Sequence, residues 1–197
     1  MNALRTLLAT AILTATVSFV APSQAEAKLP LLRVWAEAHG TYMTGSSDWF
    51  QAADSPRLGW GAQVGVAALI FELSADVNIF DLGSDSDAPS GVVDQTMWNS
   101  LNAGVNFPFR FRDGSMRLTA RGLAGYTYAP YVGLGVEKNQ GFTGRAIGDF
   151  DYFFTKVLAV GISNSIGYHL FQAGAGAENR RGVDWQTQLR FRFEFGL

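Results

Sequence analysis

Residues 183–197 leave this chain few folds to choose from. Val183, Trp185, Thr187, Leu189, Phe191, Phe193, Phe195 and Leu197 alternate with Asp184, Gln186, Gln188, Arg190, Arg192 and Glu194. A period of two puts the first set on one face of an extended strand and the second on the other, which no helix does. The second face carries charges of both signs. An apolar face opposite arginines and acids suits a strand set between hydrocarbon and a wet, charged interior. Backbone groups left unpaired in hydrocarbon cost on the order of several kcal/mol each, so such a strand must belong to a closed barrel. Its partners should show the same alternation.

Seven upstream segments do. Residues 32–42 set Leu32, Val34, Ala36, Ala38, Gly40 and Tyr42 against Arg33, Trp35, Glu37, His39 and Thr41. In 58–68 the inner face is mostly glycine (Gly59, Gly61, Gly65, with Gln63 and Ala67), which leaves room for large side chains inside a narrow barrel. Residues 71–82 turn Glu72, Ser74, Asp76 and Asn78 inward; 96–109 turn Trp98, Ser100, Asn102, Gly104 and Asn106 inward. Residues 116–128 contribute Arg117, Thr119, Arg121 and Thr127, and 142–152 contribute Thr143, Arg145, Asp149 and Asp151, with Ile147 an apolar exception. Residues 158–170 contribute Gly161, Ser163, Ser165, Gly167 and His169, and leave Asn164 as a polar misfit on the outside.

The connections alternate in length. Polar or glycine-rich stretches at 44–57, 83–94, 129–141 and 171–182 are long, whereas those near Leu69, at Asp113-Gly114 and through Thr155 and Lys156 are short. Surface loops and periplasmic turns alternate in this way when both termini of a barrel are periplasmic. Outward aromatics also sort by height. Tyr42, Trp60, Tyr128, Phe142, Tyr168 and Trp185 lie at the loop ends, and Phe71, Phe107, Phe109, Phe150, Tyr152, Phe193 and Phe195 at the turn ends. Two aromatic girdles around an aliphatic band are expected where rings settle at membrane interfaces. The soluble alternative, a lipocalin-like barrel, needs apolar residues inside and polar ones outside.

The N-terminal stretch belongs to targeting. Arg5 is a positive n-region, residues 7–21 are apolar, and Ala25-Glu26-Ala27 has the small-x-small form of a cleavage site, so 1–27 reads as a signal peptide and 28–197 as one barrel domain. The alternative, a single membrane anchor, needs a longer apolar run. A formal net charge of −2, without a basic face, argues against nucleic acid. No cysteine means no disulfide framework and no thiolate site, and no cofactor is expected. With 22 glycines and 13% aromatic residues beside 16% charged, the composition suits a β protein.

Eight alternating strands, a signal peptide, long and short connections in turn, and a final Phe191-Arg192-Phe193-Glu194-Phe195-Gly196-Leu197 resemble the small outer-membrane barrels of the OmpA/OmpX type. The resemblance is one of architecture over 28–197. It implies an all-β fold, an eight-stranded antiparallel up-and-down transmembrane β-barrel. It also implies assembly by the outer-membrane machinery, which in that family reads a final strand usually ending in phenylalanine; here Leu197 keeps the parity and the apolar character. Outer-membrane lipid and lipopolysaccharide are then the surroundings, an extracellular partner is left unidentified, and a single copy is expected.

Parity sends Arg33, Arg117, Arg121, Arg145, Arg190 and Arg192 into the lumen with Glu37, Glu72, Asp76, Asp149, Asp151, Asp184 and Glu194. With the last strand beside the first, Glu194 is expected level with Arg33 and Arg190 with Glu37; within 116–152, Arg121 is expected level with Asp149. An eight-stranded barrel is about wide enough for side chains to fill it, so an ion-pair plug is expected.

His39 and His169 face inward near the loop end, Ser165 precedes His169 on the same face, and Asp184 opens the strand between theirs. A hydroxyl, a base and an orienting acid are what acyl transfer needs, so a lipid A deacylase is one reading of this group. Tyr168-His169-Leu170-Phe171 does not match the His-x-Ser-Asn stretch of such enzymes. A narrow channel is the other rival to a barrel acting through its loops. Asp81, Asp85 and Asp87 offer oxygens to calcium without a calcium-loop spacing, Arg180-Arg181 could meet lipopolysaccharide phosphates, and Arg110 and Arg112 flank a periplasmic turn.

Overall fold

The computed structural model describes residues 31–47, 57–81, 95–112, 114–129, 131–132, 139–172 and 180–196. The segment 1–27, with Ser84, Asp85, Ser86, Asp87, Asp113 and Leu197, lies outside the described residues. The strands are β1 (Leu32–Ser47), β2 (Arg57–Ala68), β3 (Phe71–Asp81), β4 (Gln95–Phe111), β5 (Met116–Ala129), β6 (Tyr131–Val132), β7 (Asn139–Phe153), β8 (Leu158–Gln172) and β9 (Arg180–Gly196).

Every strand but β6 pairs antiparallel with its neighbours in chain order, and β9 returns to pair with β1. The sheet is therefore closed, and its eight-stranded wall has no free edge. The short β6 adds two pairs to the start of β4, Gln95 with Val132 and Thr96 with Tyr131. Several strands run past the bounds drawn from the alternation: β1 continues from Tyr42 to Ser47, and β7 begins at Asn139. The backbone ladder does not need an apolar outer face, so pairing persists after the apolar residues stop.

Local chemistry sets the short connections. Leu69 and Ile70 join Ala68 to its partner Phe71, and Leu69 takes a left-handed φ of 55° while its N–H donates to Leu31 O at 2.9 Å. Gly114, at φ 86°, turns the chain between the paired Phe111 and Met116, where Ser115 N donates to Arg112 O at 3.0 Å. In the third turn Thr155 Oγ1 accepts from the N–H groups of Val157 (3.3 Å) and Leu158 (2.9 Å), a side chain standing in for a backbone acceptor.

The two faces are sharply different. Leu189 (69%), Phe142 (67%) and Trp60 (63%) stand exposed on the outside, whereas Arg117, Asp151, His169 and Gln186 are fully buried inside. A water-soluble barrel inverts this arrangement. Inside, most of the charges occupy the turn-end half, and buried Phe80, Trp98, Phe171 and Met43 share the loop end with Asp184 and Arg57.

Candidate functional site

In the turn-end half Arg117, Arg121, Arg190 and Arg192 each meet more than one acceptor. Arg190 donates to Asp149 Oδ1 and Asp151 Oδ1, both at 2.7 Å. Arg117 holds Asp151 at 2.8 Å and also bonds Glu194, with its guanidinium 4.8 Å from the centroid of the Phe153 ring. Arg192 Nε donates to Glu37 Oε2 at 2.8 Å. Arg121 on β5 reaches both ways, to Glu72 on β3 at 3.0 Å and to Asp149 on β7 at 2.8 Å. Burying these charges is costly unless they are paired, and here each of these acids is shared with a guanidinium.

Two members of the expected set are held by neutral amides. Arg33 donates to Asn106 Oδ1, and Asn106 in turn donates to Glu72 at 3.0 Å. Asp76 accepts from Asn78 and Asn102, each at 3.1 Å.

The expected levels are corrected by two residues. Glu194 is level with Trp35, Arg190 with His39, and Arg192 with Glu37. Arg121 is level with Ile147, and Asp149 with Thr119. A slip of two keeps every side chain on its face, so alternation cannot detect it. Arg121 still reaches Asp149, along the diagonal.

Glycines on the inner wall let strands that are not neighbours touch. Asp151, Gly161 and Arg190 stand level on β7, β8 and β9, and the ion pair passes over the glycine. Arg145, Gly167 and Asp184 repeat the arrangement, with Arg145 Nη2 3.7 Å from Asp184 Oδ2. On β2, Gly61 separates His39 from Asn78, whose Oδ1 lies 2.8 Å from His39 Nε2. A Cβ at any of the three would collide with these bridging groups.

At the loop end the structure keeps part of the proposed acyl-transfer group and replaces part. His169 Nε2 lies 2.8 Å from Asp184 Oδ1, as that reading needs. The hydroxyl at its other nitrogen belongs to Thr143, 3.0 Å from Nδ1; Ser165 stands level with Ile147 and Gln186 instead. A step of four along a strand covers about 13 Å, too far for a serine to reach the imidazole. Thr143 passes the contact on to Thr127 and Thr127 to Ser100, each at 2.9 Å. The result is a polar strap across β4, β5, β7, β8 and β9. Trp98 lies edge-on to His169 and Phe171 stacks against it, with ring centroids 5.3 Å away in both cases. Phe80 packs on Trp98, and Gln186 donates to Met43 Sδ at 3.7 Å. Phe80, Phe171 and Met43 have the inward parity of their strands, but they fall where the alternation fades into the expected loops or their edges.

His39 and Ser165 line a polar cavity of about 20 Å³ between the two halves, beside Asp76, Asn102 and Arg145. That is room for about one water. Among the described residues no group of three His, Asp or Glu side chains is placed to hold a metal ion. Arg181 is exposed at the start of β9, and Arg112 at the turn; Arg110 reaches Glu194 at 3.5 Å.

No protein-family model and no curated protein matches the sequence. Solved structures do match in fold. Neisserial surface protein A superposes with a TM-score of 0.54 at 13% identity, over 82% of this chain and 97% of its own. The outer membrane protein OprG from Pseudomonas aeruginosa superposes with a TM-score of 0.51 at 9% identity, over 86% of this chain and 98% of its own. With the closed antiparallel wall, the charged lumen and the apolar exterior, this likeness gives the chain the fold of the small eight-stranded outer-membrane β-barrels.

Proposed function

We propose that this protein resides in the bacterial outer membrane with both termini periplasmic, that its lumen is closed to solutes, and that it acts through its extracellular loops in surface interaction or envelope integrity. The observation that carries the reading is the lumen itself. Bonded arginines and carboxylates fill one half, aromatic rings and a hydroxyl strap fill the other, and the cavity between them is water-sized. Such an interior stabilises the wall and offers no route through it, which leaves the loops as the variable surface. An apolar outer face suits lipid and lipopolysaccharide as its surroundings, and the assembly machinery as the means of insertion. A similar fold is carried by Neisserial surface protein A.

Three measurements test this reading together. In planar bilayers the purified barrel is expected to show no steady conductance; regular openings would sink the closed lumen in favour of a channel. Lipid A from cells with and without the protein is expected to have the same mass, whereas loss of an acyl chain would favour the hydrolase. Binding to host or neighbouring cells is expected to fall when the segments at 48–56, 82–94, 133–138 and 173–179 are shortened with the barrel intact.

A further inference from the structure

The outer face of β8 carries a polar residue midway along its apolar run. Asn164, midway along β8, points outward and is exposed between Ile162 and Ile166. Its Oδ1 accepts a 2.8 Å hydrogen bond from Thr187 on β9, and among the described residues its amide NH2 has no protein partner. On a soluble protein water would take those N–H groups. In hydrocarbon none is at hand, and an unsatisfied amide is costly.

The wall beside it lacks side chains. Gly148 stands level with Asn164 on β7, and Ala120 level with Gly148 on β5; Gly122, Ala124, Gly144 and Ala146 continue the patch toward the loop end. Unlike the luminal glycines, these meet nothing among the described residues that requires glycine. A Cβ at Gly144 or Gly148 would meet nothing within 4 Å, and one at Gly122 only a Val105 methyl at 3.9 Å. Their φ angles need no glycine either. Glycine inside a strand weakens it, so a bare patch that packing does not require points to something outside the chain that approaches closely.

We infer that this face docks a second copy of the same chain in the plane of the membrane, with the Asn164 carboxamides of the two copies hydrogen-bonded across a two-fold axis along the membrane normal. Two copies inserted by the same route stand at the same depth, so a residue near that axis meets itself. A carboxamide donates and accepts at once and can pair with its own copy, which a lone arginine or aspartate cannot do. The bare wall at Gly148 lets the backbones come close enough for so short a side chain to reach, as small residues do between membrane helices. Lipid tails could cover the glycines but would leave the amide unsatisfied. The inference rests on the membrane placement proposed above and departs from the single-copy expectation.

The chain has no cysteine, so an introduced one reports alone. Two differently tagged copies are expressed together, and Gly148→Cys is treated with a short bifunctional maleimide in native membranes. A cross-linked homodimer is expected there, and none at Gly40→Cys, which also opens to free space but lies on β1. In a detergent dilution series Asn164→Leu combined with Gly148→Leu should weaken self-association about tenfold, while Gly40→Leu leaves it unchanged. Tagged copies that never co-purify or cross-link would overturn the inference, as would Gly148→Cys joined only to a different protein or association unchanged in the double variant. Heat-shifted electrophoretic mobility shows that each variant is folded, and detergent-dependent extraction reads membrane placement separately.

Discussion

Arg190 on β9 meets Asp151 on β7 across an entire intervening strand, Nη2 to Oδ1 at 2.7 Å, because the residue level with both on β8 is Gly161. The contact therefore depends on a side chain that is missing. A Cβ at Gly161 would overlap the Asp151 carboxylate and crowd Arg190 Nε. Gly161→Val should separate a buried pair and destabilise the barrel by about 3 kcal/mol. Urea unfolding in lipid vesicles measures this, and a midpoint like the parent's would show that the pair contributes little.

Arg121 on β5 lies between Glu72 on β3 and Asp149 on β7, bonded to both. Arg121→Ala leaves both carboxylates with a partner fewer in a space that water barely enters, at a cost of about 3–5 kcal/mol. Arg112→Ala, at an exposed turn position, should stay within about 0.5 kcal/mol. The temperature at which electrophoretic mobility shifts should fall for the first and hold for the second.

Thr143 joins His169 to Thr127, so its hydroxyl serves two neighbours. Thr143→Val keeps the shape and removes both bonds, which should cost about 1–3 kcal/mol. Ser165→Ala, away from that strap, should cost less, and neither change should alter the mass of cellular lipid A. A change confined to Thr143→Val would revive the hydrolase with threonine as its hydroxyl.

The two faces can be read directly with single cysteines in native membranes. Leu189 and Val160 point outward, Gln188 and Gly161 inward. Cysteines at the first pair should resist a water-soluble maleimide and quench a lipid-borne fluorophore. Labelling of Leu189→Cys from water, with quenching at Gln188→Cys, would turn the barrel inside out.

Much of this was legible from alternation alone. Trp98 and Asn106 on β4, and the inward glycines of β2 and β8, follow from parity, because a strand offers a side chain only two directions. The misfit Asn164 was equally visible as a polar residue between Ile162 and Ile166; that Thr187 is its partner and Gly148 its level neighbour was not. The hydroxyl beside His169 was misassigned for a related reason. A serine four residues away on the same strand looks close in sequence, yet Thr143, on another strand, stands level with His169.

What the sequence by itself determined is the set of strands, their two faces and the order of short and long connections, since each depends on local geometry with a fixed period. What only the tertiary structure decided is which luminal side chains touch. Where a short turn joins two strands, as at Leu69 and Ile70, the turn pins their register. The β9 to β1 seam has no connecting turn, and β5 and β7 have a long one, so register there is chosen by the closing of the whole wall. A slip of two residues leaves every hydrophobic position where it was, and only the fit of arginines to carboxylates across the closed lumen tells one register from the next.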